Sequence, residues 1–178
     1  TYQRSPQQAL DSAGRLMKEG AAHMVKLEGG EVMAETVRCL VERGIPVCGH
    51  LGLTPQSVHS LGGYRVQGKT DDAAERILNE ARCIAQAGAA VIVLEAMPAE
   101  LGTRISQAID VPTIGIGAGP GCDGQVLVLH DMLGLSGEVQ PRFVKNFMQG
   151  AQDIGDAIAR YVSDVRGGRY PAPEHCYE

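Results

Sequence analysis

Five short apolar runs, separated by stretches of helical period and punctuated by glycine or proline, constrain this chain more than any other feature. The runs cover residues 23–28, 46–50, 91–95, 112–116 and 125–129. Between them, Ser5 is placed to cap a helix with Pro6 at its first position and Gln8 at the capping-box position, and the pattern runs to Lys18 or Glu19 before Gly20 stops it. Further helical stretches cover 31–43 with Gly44 as the stop, 70–86 with Thr70 as the cap and Gly88 as the end, 99–108, and a long pattern over 142–165. Strands that alternate with helices form βαβ units and hence a parallel sheet. Glycine is frequent (23 residues), tryptophan is missing and phenylalanine occurs twice, a composition suited to short turns and closely packed parallel strands.

Two units echo one another. Residues 19–28 and 86–95 both read as helix end, glycine, alanine, apolar strand and closing glutamate. Such repetition favours a (β/α) barrel over an open doubly wound sheet. A closed barrel has eight strands and typically about 250 residues, so two readings stay open: an open sheet, or a (β/α)8 TIM barrel whose first three βα units are not in this chain. The second is preferred, with residues 1–178 as a single domain, a partial barrel followed by a C-terminal helix and tail.

Charge and cysteine usage narrow the functional class. The chain has 16 lysines and arginines against 21 aspartates and glutamates, net −5, without the basic excess that nucleic acid requires. No apolar run of about 18 residues is present to cross a bilayer, and residues 1–8 lack the apolar region of a signal peptide. Cys39, Cys48, Cys83, Cys122 and Cys176 are odd in number and dispersed, which suits free thiols in a reducing, cytoplasmic setting.

The chemical anomaly is charge inside apolar strands. Lys26 and Glu28 lie two apart near the end of one run and therefore face the same side. Buried, they need a partner, water or a ligand; the alternative is solvation just past the strand. Glu95 closes the most apolar run, where an apolar wall would favour its neutral form and suit it to proton transfer; facing water in a loop is the other reading. His50 ends its strand as a donor to a substrate oxygen or as a structural histidine. His130 and Asp131, adjacent on a strand, would face opposite ways, which favours structural roles. The glycines of Gly115-Ile116-Gly117-Ala118-Gly119 allow either close approach to a ligand or only a tight turn.

Longer strings are more specific. Met24-Val25-Lys26-Leu27-Glu28-Gly29-Gly30, His50-Leu51-Gly52-Leu53-Thr54-Pro55-Gln56 and Gly62-Gly63-Tyr64-Arg65-Val66-Gln67-Gly68 resemble the ketopantoate hydroxymethyltransferase family. Val93-Leu94-Glu95, Ile114 to Gly119, Asp123-Gly124-Gln125, Val128-Leu129-His130-Asp131 and Phe143-Val144-Lys145-Asn146-Phe147 continue the match in family order. The resemblance implies a barrel of the phosphoenolpyruvate/pyruvate-like superfamily. Its reaction joins 3-methyl-2-oxobutanoate and a one-carbon unit from 5,10-methylenetetrahydrofolate into 2-dehydropantoate, on the route to pantothenate and coenzyme A. It further implies Mg²⁺ and a large homo-oligomer, often a decamer. Carried over residue by residue, Lys26 binds the oxo acid, Glu28 belongs to the magnesium site, Glu95 accepts the proton and His50 lines the substrate pocket.

Two magnesium-binding aspartates and a substrate-binding serine of the family lie on early strands that are not in this sequence. An incomplete barrel would leave apolar strand edges uncovered, so the chain is expected to associate with copies of itself or with a complementary N-terminal fragment. Two rival readings are a related lyase, which would carry a Lys-Lys-Cys-Gly string that does not occur here, and an inert fragment, which would have no need of charge at Lys26, Glu28 and Glu95.

Overall fold

The structure is a computed structural model describing residues 2–137 and 140–178; Thr1, the first residue of the stretch read for a leader, lies outside them. Local chemistry sets the first elements. The Ser5 hydroxyl accepts the Gln8 N–H at 3.1 Å and Pro6 opens α1, Pro6–Lys18. Strand β1 is Val25–Glu28. The next helix begins as a single 3-10 turn, Glu31–Met33, before α2, Ala34–Val41, and Gly44 follows with φ +77°. Strand β2, Val47–Gly52, runs two residues past the predicted end. Helix α3, Asp71–Gln86, is capped by the Thr70 hydroxyl on the Ala73 N–H. Strand β3, Val91–Glu95, and α4, Ala99–Ala108, match their predicted bounds, and β4 is Thr113–Ile116.

Two expectations are corrected. The fifth strand, predicted over 125–129, is only Gly124–Gln125 (β5), and Leu129–Met132 form a short helix, α5. The neighbouring strand β4 ends at Ile116 and Gly117 turns away with φ +66°, so pairing stops after the bond from the Val126 N–H to the Gly115 carbonyl at 3.0 Å. His130 and Asp131 consequently sit on a helix, where the opposite-face argument does not apply; the Asp131 carboxylate accepts from the Ser136 hydroxyl. The long C-terminal helix is also shorter than predicted: α6 is Ile154–Arg166, capped by Asp153 on the Asp156 N–H at 2.8 Å. Upstream, Phe143 and Phe147 are drawn into the core and the Asn146 side chain takes the Met148 N–H, a local bond that competes with the helix.

The sheet is wholly parallel, and its strands lie in sequence order, β1-β2-β3-β4-β5. A doubly wound sheet reverses its order at a switch point, whereas a (β/α) barrel keeps it; the chain has the mixed α/β architecture of a partial barrel. One face, carrying Val25, Leu27, Val47, Leu51, Ile92 and Leu94, packs against the helices and is buried. The other face carries Lys26, Glu28, His50, Val93 and Glu95. Register brings these into line: Glu28 pairs with His50, His50 with Val93, and Gly52 with Glu95. A second cluster closes the β4–β5 end, where the Phe147 ring meets Tyr161 and Tyr170 edge-on at 5.4 and 5.5 Å. The loop glycines after β4 serve packing there. A Cβ on Gly117 would lie 2.4 Å from the Phe143 ring, and one on Gly119 would lie 2.4 Å from Ala99. All five cysteines are free, and no helix among the described residues is long and apolar enough to cross a membrane.

Candidate active site

Parallel strands end together, so the last residues of β1, β2 and β3 converge on one rim. A cavity of about 830 Å³ opens there, lined by Lys26, His50 and Glu95 and, from the following loops, by Tyr64, Arg65, Phe143 and Tyr177. The sequence placed Lys26 and Glu28 on one side, and register confirms that side, but their environments differ. Lys26 is exposed to the cavity, whereas Glu28 is 7% exposed, so only the second is a buried charge. Lys26 stands beside the partner-strand thiol of Cys48, which burial pushes above its usual range while the ammonium opposes the rise.

Glu28 is anchored from three directions. Its Oε2 accepts the Gln56 N–H at 3.0 Å, its backbone N–H donates to the Tyr2 hydroxyl at 3.0 Å, and its Oε1 lies 3.7 Å from His50 Nδ1. His50 itself is 1% exposed. Its Nε2 stands 2.9 Å from Glu95 Oε2 without the direction of a ring N–H hydrogen bond, and its Nδ1 is too far from Glu28 for one, so both are buried without a hydrogen-bond partner among the described residues. Such orphaned groups are uncommon and point to a partner supplied from outside the chain. Glu28, His50 and Glu95 therefore form a continuous polar row along one sheet face.

The backbone around Glu95 is held tightly. Its carbonyl accepts the Leu53 N–H at 2.9 Å, and a Cβ on Gly52, which has φ +90°, would lie 2.2 Å from that oxygen. Ala96, the next residue, is one of two non-glycine residues with positive φ among those described, at +48°. Strain of this kind costs on the order of 1–3 kcal/mol and gathers where geometry is fixed for function. The Ala96 carbonyl in turn holds the Gln67 N–H at 2.8 Å, tying the loop that carries Tyr64 and Arg65 to the end of β3.

Sequence reasoning missed Tyr2, Gln56, Tyr64, Arg65 and Tyr177 as site residues. In an aromatic-poor chain each tyrosine was a usable signal, but Tyr2 and Tyr177 reach the site from opposite ends of the sequence, and no local pattern records that. His130 is not among the residues lining the cavity, whereas Asp131 is.

A divalent ion would find a suitable donor in Glu28. Glu28 Oε1 is a hard oxygen carrying no hydrogen bond among the described residues, in keeping with the carboxylate donors that Mg²⁺ favours. Among the described residues no group of three His, Cys, Asp or Glu stands close enough to hold a metal.

The family model for ketopantoate hydroxymethyltransferase matches residues 1–173. Proteins named 3-methyl-2-oxobutanoate hydroxymethyltransferase from Azoarcus sp., Methylobacillus flagellatus and Aromatoleum aromaticum are 58%, 57% and 58% identical over 178, 178 and 177 residues. The matches take in 99%, 100% and 99% of this chain but only 65%, 68% and 65% of those relatives, so the chain spans about two thirds of their length.

Proposed function

This chain belongs to the ketopantoate hydroxymethyltransferase family, and from that premise we propose that it takes part in hydroxymethyl transfer from 5,10-methylenetetrahydrofolate to 3-methyl-2-oxobutanoate, giving 2-dehydropantoate for pantothenate biosynthesis. The observation that carries the reading is the meeting of Lys26, His50 and Glu95 on one sheet face at the mouth of one cavity.

Each side chain has a role that its surroundings support. The Lys26 ammonium, open to the cavity, pairs with the carboxylate of the oxo acid in a charge-assisted contact. His50, whose ring nitrogens have no hydrogen-bond partner among the described residues, donates to a substrate oxygen. Glu95 removes the proton from C3, with its backbone clamped by Leu53 and Gly52. The C3 carbanion then forms a bond to the methylene carbon as that carbon's two bonds to the folate nitrogens break, the nitrogens taking up the proton removed from C3 and one proton of water. Water supplies the hydroxyl, and tetrahydrofolate leaves with the nitrogens it began with. Mg²⁺, when bound with Glu28 as one ligand, would supply Lewis-acid polarisation of the 2-oxo group. Ligand pockets for molecules of drug size run to roughly 300–1,000 Å³; the cavity falls in that range, which supports room for the folate beside the small oxo acid.

The apolar stripe of Ile154, Ile158 and Val162 on α6, all exposed, supports self-association toward the decamer that the family resemblance implies. The free edge of β1, touched by Tyr2 at Glu28, supports pairing with a complementary segment. Five free thiols support a cytoplasmic setting.

The direct test supplies the purified chain with both substrates and Mg²⁺. Formation of 2-dehydropantoate with one equivalent of tetrahydrofolate is the expected result. A folded chain that forms neither would overturn the proposal.

A further inference from the structure

Beyond α6 the chain folds back across the mouth of the cavity. A 3-10 turn at Pro173–His175 leads into a strap whose carbonyls are taken on both sides: Glu174 O accepts from Arg142 Nε at 3.1 Å, and Tyr177 O accepts the Ala99 N–H at 3.0 Å. A parallel bridge joins Tyr177 to Pro98, three residues after Glu95. The Tyr177 ring meets Phe143 edge-on, with centroids 6.4 Å apart and planes at 79°, and Phe143 is itself seated against Gly117. Both rings line the cavity together with Glu95. Burial pushes the Tyr177 phenol up, Arg142 opposes the rise through its backbone and its charge, and the Glu95 charge adds to it least. The strap residue in question lies past residue 173, where the family match ends.

We propose that Tyr177 is a specificity-determining residue, its ring forming the wall beside the carbon on which Glu95 acts and so limiting the branch size of the 2-oxo acid. The inference rests on the functional reading above, which places C3 next to Glu95. The wall is held because the bridge to Pro98 fixes the Tyr177 backbone and the edge-on contact with Phe143 supports its ring. An apolar pocket separates ligands that differ by one methylene by about 10- to 200-fold, and that is the scale of selectivity such a ring can provide.

The test is calorimetric titration of the chain with 3-methyl-2-oxobutanoate and with 3-methyl-2-oxopentanoate, which is longer by one methylene. The unsubstituted chain is expected to bind the shorter acid about tenfold or more tightly. Tyr177→Phe keeps the ring and should keep the ratio. Tyr177→Ala should reduce it to about unity, and Tyr177→Leu, which retains apolar packing on Phe143, should fall between. An unchanged ratio in Tyr177→Ala and Tyr177→Leu would overturn the inference. So would equal weakening of both acids, which would make the strap a mere support, or a loss in Tyr177→Phe equal to that in Tyr177→Ala, which would assign the effect to the hydroxyl. Failure of the unsubstituted chain to bind either acid would instead overturn the functional reading, and the inference with it.

Discussion

His50 joins near-complete burial to the lack of a hydrogen-bond partner on either ring nitrogen among the described residues. Its nitrogens face the Glu28 and Glu95 carboxylates at 3.7 and 2.9 Å, an arrangement that can turn to receive a ligand. His50→Leu leaves the buried Glu28 carboxylate facing an apolar group, so it should lower stability by about 1–3 kcal/mol and weaken 3-methyl-2-oxobutanoate binding about tenfold or more. A large fall in melting temperature with affinity retained would mark His50 as structural. Lys26, Glu28 and Glu95 were legible as candidates because charge interrupts apolar runs, and that signal is local. The facing of His50 on Glu28 was not legible, because it depends on the register of two strands separated by a whole helix. The difference between exposed Lys26 and buried Glu28 depends likewise on what packs above each of them.

The elements that sequence placed best are those defined by a cap, a glycine stop or a run of β-branched residues. Ser5, Thr70 and Gly88 each act where helical pattern and local chemistry agree, and β3 and α4 keep their predicted bounds. Prediction failed where tertiary contacts compete with pattern. Residues 142–153 have helical spacing, but Phe143 and Phe147 contribute more by entering the second core cluster than by extending α6. The strap is an element without any periodic signal, and its stability is open to pH. The His175 Nδ1 accepts the Ala172 N–H at 3.2 Å, and burial holds the imidazole below the usual histidine range. With the folded value lowered, its contribution is present above the ordinary value of about 6.5 and is lost as the pH falls below it toward the folded value. Amide signals and protease resistance of residues 172–178 should thus report loosening between neutral and mildly acidic pH. Loosening on the alkaline side of neutrality instead would contradict this assignment.

For the whole molecule, strand order decides the architecture: five parallel strands in sequence order form the arc of a barrel, with polar groups on the face turned from the helices. Alternation and repetition made this legible, although the fifth strand was overestimated because a strand needs a neighbour as well as a pattern. Exposed Ile154, Ile158 and Val162 lie on one side of α6. If they mediate self-association, Ile158→Glu should weaken it by about 2 kcal/mol or more in sedimentation equilibrium; a parent chain that stays monomeric would contradict the assembly proposal. The central claim concerns Glu95 as the base that enolises a 2-oxo acid. Its most direct test follows loss of deuterium from C3 of labelled 3-methyl-2-oxobutanoate by NMR, with Mg²⁺, for the chain and for Glu95→Gln. Exchange by the parent chain, slowed about 10²- to 10⁴-fold in the variant with oxo-acid binding retained, is the expected result. Equal exchange by both proteins, or none by the folded parent, would contradict the account.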